Sequence, residues 1–189
     1  TADLVQAIAN LKKISIEDFE TYSALGEGGF GKVFLVRKRT NSRYYAMKRV
    51  AKSRFVNQDF VEQAITEKEV MRRASHPFIV RLHYSFQNSR YLYYVMDWME
   101  GGPLFEVIRR FGRLSEEAAR FYASEVLLAL KYLHENLGVI YRDLKPDNVL
   151  LDREGHIRLT DFGLSKSKLS SRSQTDKLHT RDSRVHRPR

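Results

Sequence analysis

At 189 residues, with 42% hydrophobic and 30% charged side chains, the chain is long enough for one domain with a sizeable core and unlike a wholly disordered or collagen-like chain. Its formal net charge of +10 is unevenly spread: Ser165 to Arg189 hold eight Lys and Arg against two Asp, leaving +4 on the preceding 164 residues. No apolar run reaches membrane-spanning length, Thr1 to Asn10 lacks the basic start and cleavage site of a secretory signal, and no cysteine is present for disulfides or thiolate metal sites, so an intracellular protein, cytoplasmic or nuclear, without a membrane span is expected.

Leu4, Ile8 and Leu11 stand at helical spacing and Ile14 and Ile16 at strand spacing, which predicts a short helix and an extended segment within an N-terminal extension, residues 1–18. Three β-rich runs follow, Phe19 to Leu25, Lys32 to Arg37 and Tyr44 to Val50, separated by glycine-rich or polar turns. They read as an antiparallel meander. Asn57 to Ala74 is helical in pattern, and Ile79 to Phe86 and Tyr91 to Met96 return to strand character around Gln87-Asn88-Ser89. Five strands and one helix form a small α+β unit over residues 19–99.

Glu100-Gly101-Gly102-Pro103 is a hinge signal, after which the chain turns mostly helical over residues 100–166. Leu104 to Phe111 fits a short helix. Ser115 to Asn136 carries the clearest helical signature: a Ser cap, Glu116 and Glu117 in the first turn, an apolar stripe of Ala118, Tyr122, Val126, Ala129 and Leu133, and Gly138 beyond the end. Strands Val149 to Leu151 and His156 to Thr160 flank a turn at Asp152-Arg153-Glu154-Gly155. Residues 167–189, rich in Ser and Arg and lacking aromatics, read as a disordered basic tail.

Gly26-Glu27-Gly28-Gly29-Phe30-Gly31-Lys32-Val33 supplies G-x-G-x-x-G-x-V. Alone it is weak, because dinucleotide-binding turns share it. Here the residues after the third glycine read as a strand and Lys48 lies 17 residues on, which excludes the dinucleotide reading and leaves a glycine hairpin able to lie close over phosphates. Alternation puts Ala46 and Lys48 on one strand face. On the following helix Phe60, Ala64, Glu67 and Met71 form a stripe expected to face inward, and a carboxylate buried there calls for a cation, Lys48 being the obvious one. Tyr141-Arg142-Asp143-Leu144-Lys145-Pro146-Asp147-Asn148 is followed by Asp161-Phe162-Gly163.

These four motifs, in this order, resemble the signature of the eukaryotic protein kinases, with Tyr141 in place of the usual His. The resemblance implies a bilobal kinase-like α+β fold that uses ATP and Mg2+. It implies that Gly26, Gly28 and Gly31, with Glu27, Gly29, Phe30 and Lys32 of the same loop, cover the phosphates, and that Lys48, oriented by Glu67, holds the α- and β-phosphates. Asn148 and Asp161 would bind magnesium, Asp143 would accept the substrate hydroxyl's proton, and Lys145 would stabilise the transferring phosphate. Leu25, Val33, Ala46 and Leu150 look like the adenine sandwich, with Met96 as gatekeeper and backbone groups of Asp97 and Met99 at the hinge.

Lysine two residues after Asp143 resembles the Ser/Thr-kinase pattern. Tyr-Arg-Asp, with Pro77-Phe78-Ile79-Val80, Gly112-Arg113-Leu114-Ser115-Glu116 and Ala119-Arg120-Phe121-Tyr122, resembles the AGC group, relatives of the cyclic-AMP-dependent kinase, over about Phe19 to Lys166. Two departures stand out. Pro103 occupies a position where many AGC kinases carry Glu, and no Ala-Pro-Glu motif follows Lys166. A truncated kinase with an exposed apolar face on the Ser115 to Asn136 helix is therefore expected, open to a partner that covers that face. A protein Ser/Thr hydroxyl is the expected acceptor, with a preference for basic substrates, and nucleic acid is not an expected partner. The competing reading is a catalytically impaired ATP-binding or regulatory kinase fragment.

Overall fold

Ten residues of strand β1 (Phe19–Gly28) lie antiparallel to eight of β2 (Gly31–Lys38), and β2 pairs in turn with β3 (Tyr44–Ala51). The computed structural model describes residues 14–28, 31–55 and 58–167, so the helix expected near Leu4, the glycine-loop residues Gly29 and Phe30, and the tail from Lys168 onward lie outside the described residues. Strands β4 (Leu82–Gln87) and β5 (Tyr91–Met96) complete an antiparallel sheet of order β1-β2-β3-β5-β4. This sheet is the body of a first unit, which comprises the chain up to Arg54 and Leu82–Trp98.

Alternation gives the sheet two chemically different faces. Phe19, Val36, Tyr45, Met47, Tyr93 and Val95 form a buried cluster on one face, and Phe86 stacks on both Phe19 and Tyr93 at centroid separations of 5.8 and 4.9 Å. Each large side chain removed from water there contributes roughly 1.5–3 kcal/mol. Cross-strand partners share a face, so the ladders Val33↔Lys48↔Tyr94 and Leu35↔Ala46↔Met96 make up the other face.

The second unit comprises Phe55–Arg81 and the chain from Met99 onward. It contains helices α1 (Gln58–Arg73), α2 (Leu104–Phe111) and α3 (Glu116–Glu135). The Ser115 hydroxyl caps α3 by accepting from the Ala118 amide at 3.1 Å, and Ala129 and Leu133 are fully buried along its inner side. Strands β6 (Gly102–Pro103), β8 (Val149–Leu151) and β9 (Ile157–Leu159) form a small sheet, while β7 (Val139–Ile140) pairs with β10 (Lys166–Ser167). No helix among the described residues is long and apolar enough to cross a membrane.

Three expectations need correction. The run Ile79 to Phe86 is not one strand: Ile79 bridges Leu159 of β9 in the second unit, and strand β4 of the first unit begins at Leu82. Phe60 is exposed, so the inward stripe of α1 begins further along, where Glu67, Val70 and Met71 are buried. Ser167, assigned to the tail, pairs with Val139. The expected apolar exposure on α3 is present, with Leu127 66% and Leu128 50% exposed.

Candidate active site

In the first unit, the β1–β2 hairpin carries Gly26 opposite Val33 and Gly28 opposite Gly31. Glu27 and Lys32, paired in register, form an ion pair of 2.8 Å at the exposed end of the hairpin. Gly31 has φ +137°, and a Cβ there would stand 2.3 Å from the carbonyl oxygen of Arg49, so only glycine lets β2 approach β3 at this point. Gly26 has open space around its missing side chain. Leu25 is 45% exposed beside it.

Behind the hairpin, Val33, Ala46, Lys48 and Met96 share the sheet face opposite the buried cluster of Phe19, Val36, Tyr45, Met47, Tyr93 and Val95. Lys48 is only 7% exposed, an unusual position for a lysine, and Ala46 and Met96 are buried with it. Sequence reasoning assigned Asp97 only a backbone role, whereas its Oδ1 lies 2.6 Å from Nε2 of His83, whose ring meets Tyr45 edge-on at 5.1 Å. His83 carries no motif, so its part in fixing Asp97 emerges only in three dimensions.

The second unit assembles Asp143, Lys145, Asn148 and Asp161. The Asp143 carboxylate accepts from Lys145 Nζ at 2.9 Å and from Asn148 Nδ2 at 2.8 Å, and the same Nδ2 also donates to the Asp143 carbonyl at 2.9 Å. Hydrogen bonding to Asp143, reinforced by the charges of Asp143, Asp161 and Asp147, holds the Lys145 ammonium above its ordinary pKa. The short 3₁₀ turn Pro146–Asn148 fixes this spacing, with proline at its first position. Asn148 is buried, and its carbonyl accepts from the Thr160 amide at 3.1 Å, tying the loop to the residue before Asp161.

Tyr141 is buried and packs edge-on against Phe162 at 5.4 Å, while its hydroxyl donates to the Thr160 carbonyl. Burial, followed by the charges of Asp161 and Asp143, pushes its phenol far above the ordinary value, so it stays a neutral donor. The Ser165 hydroxyl donates to the Tyr141 carbonyl at 3.1 Å, and Arg142 Nε donates to the Leu164 carbonyl at 2.7 Å. Arg142 and Asp161 both adopt positive φ, 65° and 58°, a conformation that costs a non-glycine residue about 1–3 kcal/mol and persists only where surrounding contacts impose it.

Met99 and Leu104 are buried where the chain re-enters this unit, and Leu150 pairs with Pro103 and Arg158. Pro103 is thus held in a strand, and the nearby carboxylate of Glu106 is engaged by Arg109 of its own helix at 2.5 Å. Glu67, on α1, is 4% exposed. Among the described residues no group of three or more His, Cys, Asp or Glu side chains is placed to hold a metal ion. The donor chemistry of Asp161 and Asn148 suits a hard cation completed by phosphate oxygens: with Nδ2 of Asn148 engaged by Asp143, Oδ1 is the oxygen that this amide has to offer.

The protein kinase domain family matches residues 19–183. The chain is 49% identical over 162 residues to Protein kinase 3 of Dictyostelium discoideum, covering 86% of the chain and 18% of that protein. It is 47% identical over 154 residues to cAMP-dependent protein kinase type 3 of Saccharomyces cerevisiae, covering 82% and 38%. It is 43% identical over 174 residues to Serine/threonine-protein kinase akt-1 of Caenorhabditis elegans, covering 92% and 32%. The chain therefore spans between 18% and 38% of the length of these relatives.

Proposed function

This chain belongs to the protein kinase domain family, and on that premise we propose that it transfers the γ-phosphate of Mg-ATP to Ser or Thr hydroxyls of proteins. The observation that carries the reading is the cluster in which Lys145 and Asn148 both donate to the carboxylate of Asp143, a base held in one orientation beside a cation. A phosphoryl-transfer site needs that arrangement, because positioning and charge neutralisation dominate the barrier.

In the proposed step the substrate hydroxyl oxygen attacks the γ-phosphorus, the bond to the β–γ bridging oxygen breaks, and ADP leaves. The hydroxyl proton passes to the carboxylate of Asp143. Lys145, kept protonated by its neighbours, offsets negative charge on the transferring group. Asp161 and the Oδ1 of Asn148 would hold magnesium, which supplies neutralisation of the phosphate oxygens when bound. Lys48 grips the α- and β-phosphates in this reading, with Glu67 as its orienting carboxylate. By the same family reading, Gly26, Gly28, Gly31 and Lys32 would cover the phosphates, and Leu25, Val33, Ala46 and Met96 would meet the adenine with the backbone of Asp97; the family pattern assigns Leu150 and the backbone of Met99 to the same base. The exposed Leu127 and Leu128 of α3 favour, as a second reading, a regulatory kinase module that offers this face to a partner protein.

Transfer of labelled γ-phosphate to a mixed Ser/Thr peptide library tests the proposal, with nucleotide binding measured in parallel. The intact chain should label peptides. Asp143→Asn should retain Mg-ATP binding and lose transfer, and Lys48→Met should lose affinity and turnover together. Nucleotide binding without transfer in the intact chain would leave the regulatory reading in place, and equal labelling by all three proteins would refute both.

A further inference from the structure

Helix α2 is built around Leu104, Val107, Ile108 and Phe111, the i, i+3, i+4, i+7 spacing of a one-sided apolar stripe. Its first turn sinks into the second unit, where Leu104 is buried and the helix rests on β8 and on the 3₁₀ turn Pro146–Asn148. Its last turn stands clear. Val107 and Ile108 are half-buried, and Phe111 is 68% exposed, the most exposed large apolar side chain among the described residues. Gly112 ends the helix at φ +76° while its amide donates to the Ile108 carbonyl at 2.8 Å, so the chain leaves the helix axis just past the Phe111 ring.

Around this ring the chemistry is cationic. Arg109, Arg110 and Arg113 are all exposed, and the Arg110 guanidinium lies 5.6 Å from the Phe111 ring centroid. The one acid of α2, Glu106, is engaged by Arg109 at 2.5 Å. The next acids along the chain, Glu116 and Glu117, open α3, and Glu116 is taken up by Arg120 at 2.6 Å.

A protruding ring set among guanidiniums is the reverse of a binding groove, because it has to be received by its partner. A lipid surface receives it at two levels: the acyl boundary takes the ring, and the headgroup phosphodiesters take the guanidiniums, whose planar forks match phosphate oxygens. The net charge of +10 adds attraction toward an anionic leaflet. A protein partner would need a pocket for the ring rimmed by carboxylates, a stricter demand than a fluid bilayer makes.

We propose that the end of α2 is a peripheral membrane-binding site, in which Phe111 enters the interface of an anionic bilayer and Arg109, Arg110 and Arg113 hold its headgroups. It uses none of the residues assigned to nucleotide or to phosphoryl transfer, so it stands or falls separately from the kinase reading.

The test is cosedimentation of the full chain with vesicles of phosphatidylcholine alone and of phosphatidylcholine mixed with phosphatidylserine. Binding to the mixed vesicles is expected, with much weaker binding to the neutral ones. Phe111→Ser keeps the net charge at +10, so it spares any attachment that rests on charge alone, including that of the basic residues after Ser165. It should weaken binding to the mixed vesicles by about tenfold. Arg110→Gln with Arg113→Gln should weaken it by at least about tenfold, and Arg110→Lys with Arg113→Lys should keep most of it. Because the chain has no cysteine, Phe111→Cys carrying an apolar fluorophore reports the contact itself, and nitroxide-labelled acyl chains in the mixed vesicles should quench it. Full binding by Phe111→Ser, or an unquenched fluorophore on a chain that sediments, would overturn the proposal in favour of diffuse electrostatic attachment. No sedimentation of the intact chain would overturn it too, and saturable binding of a glutamate-rich peptide, lost in Phe111→Ser, would then give this face to an acidic protein.

Discussion

His156 donates through Nδ1 to the buried carboxylate of Glu125 at 2.5 Å, and the other oxygen of that carboxylate accepts from the Ile157 amide at 2.9 Å. One acid thereby staples the middle of α3 to the start of β9. The hydrogen bond that His156 donates to Glu125, then the charge of that carboxylate, holds the His156 pKa above its ordinary value. A group raised in the folded state stabilises fully below its unfolded pKa, near 6.5, and loses that contribution as pH climbs through the folded value. Thermal melts at pH 6 and pH 8 should therefore show a larger fall for the intact chain than for His156→Gln. Parallel melting curves across that range would refute the linkage.

Gly31→Ala places a Cβ against the Arg49 carbonyl at a φ that L-residues rarely adopt. We expect a loss of about 2–3 kcal/mol in urea unfolding. Gly26→Ala, with open space at the same hairpin, should cost less than about 1 kcal/mol. Equal losses would mean that the β2–β3 approach adapts and the difference between the two glycines is only apparent.

Tyr141→Phe keeps the ring that packs on Phe162 and deletes the donor to Thr160. A stability loss of about 1–2 kcal/mol is expected from an unsatisfied buried carbonyl. If the proposed transfer reaction operates, turnover should drop several-fold while the KM for ATP holds, because the hydroxyl braces the segment carrying Asp161. A raised KM with unchanged turnover would contradict that bracing role.

Ser115→Ala removes the acceptor for the Ala118 amide at the start of α3 and should destabilise by about 1 kcal/mol, with Ser115→Asp restoring stability. Denaturant midpoints of the three proteins measure it directly. An unchanged midpoint in the Ala variant would show that solvent satisfies the amide equally well.

Where local chemistry decides structure, the elements were legible in the amino-acid order. Alternation marked β3 and β5, the Ser cap and terminal glycine bounded α3, and the glycine spacing located the β1–β2 hairpin. Ile79 and Val80 misled because an apolar pair says that it is buried without saying which ladder it joins; here the bridge goes to Leu159, eighty positions away. The two-residue strands β7 and β10 are too short to carry a periodic signal. Within the candidate site, the cluster around Asp143 lies in one continuous motif and was readable as such. His83, in the site, and Glu125, outside it, were not, since each takes its meaning from a partner distant in sequence.

The unequal lengths of β1 and β2 have a consequence for how this hairpin tolerates change. Tyr22 and Leu25 have no partner in the register, so β1 carries two bulges, one between Thr21 and Ser23 and one between Ala24 and Gly26. Each bulge reverses which side of the sheet the following residues occupy, and two reversals cancel. Ser23 and Ala24 alone are swapped, while Gly26 and Gly28 regain the side that they would hold in an unbroken strand. Deleting Tyr22 or Leu25 would remove a bulge and leave Gly26 opposite Val33 and Gly28 opposite Gly31, because neither deleted residue has a partner in the register. Length variation in this strand is thus absorbed at the two bulges, where a residue can be lost without turning the glycines to the other face.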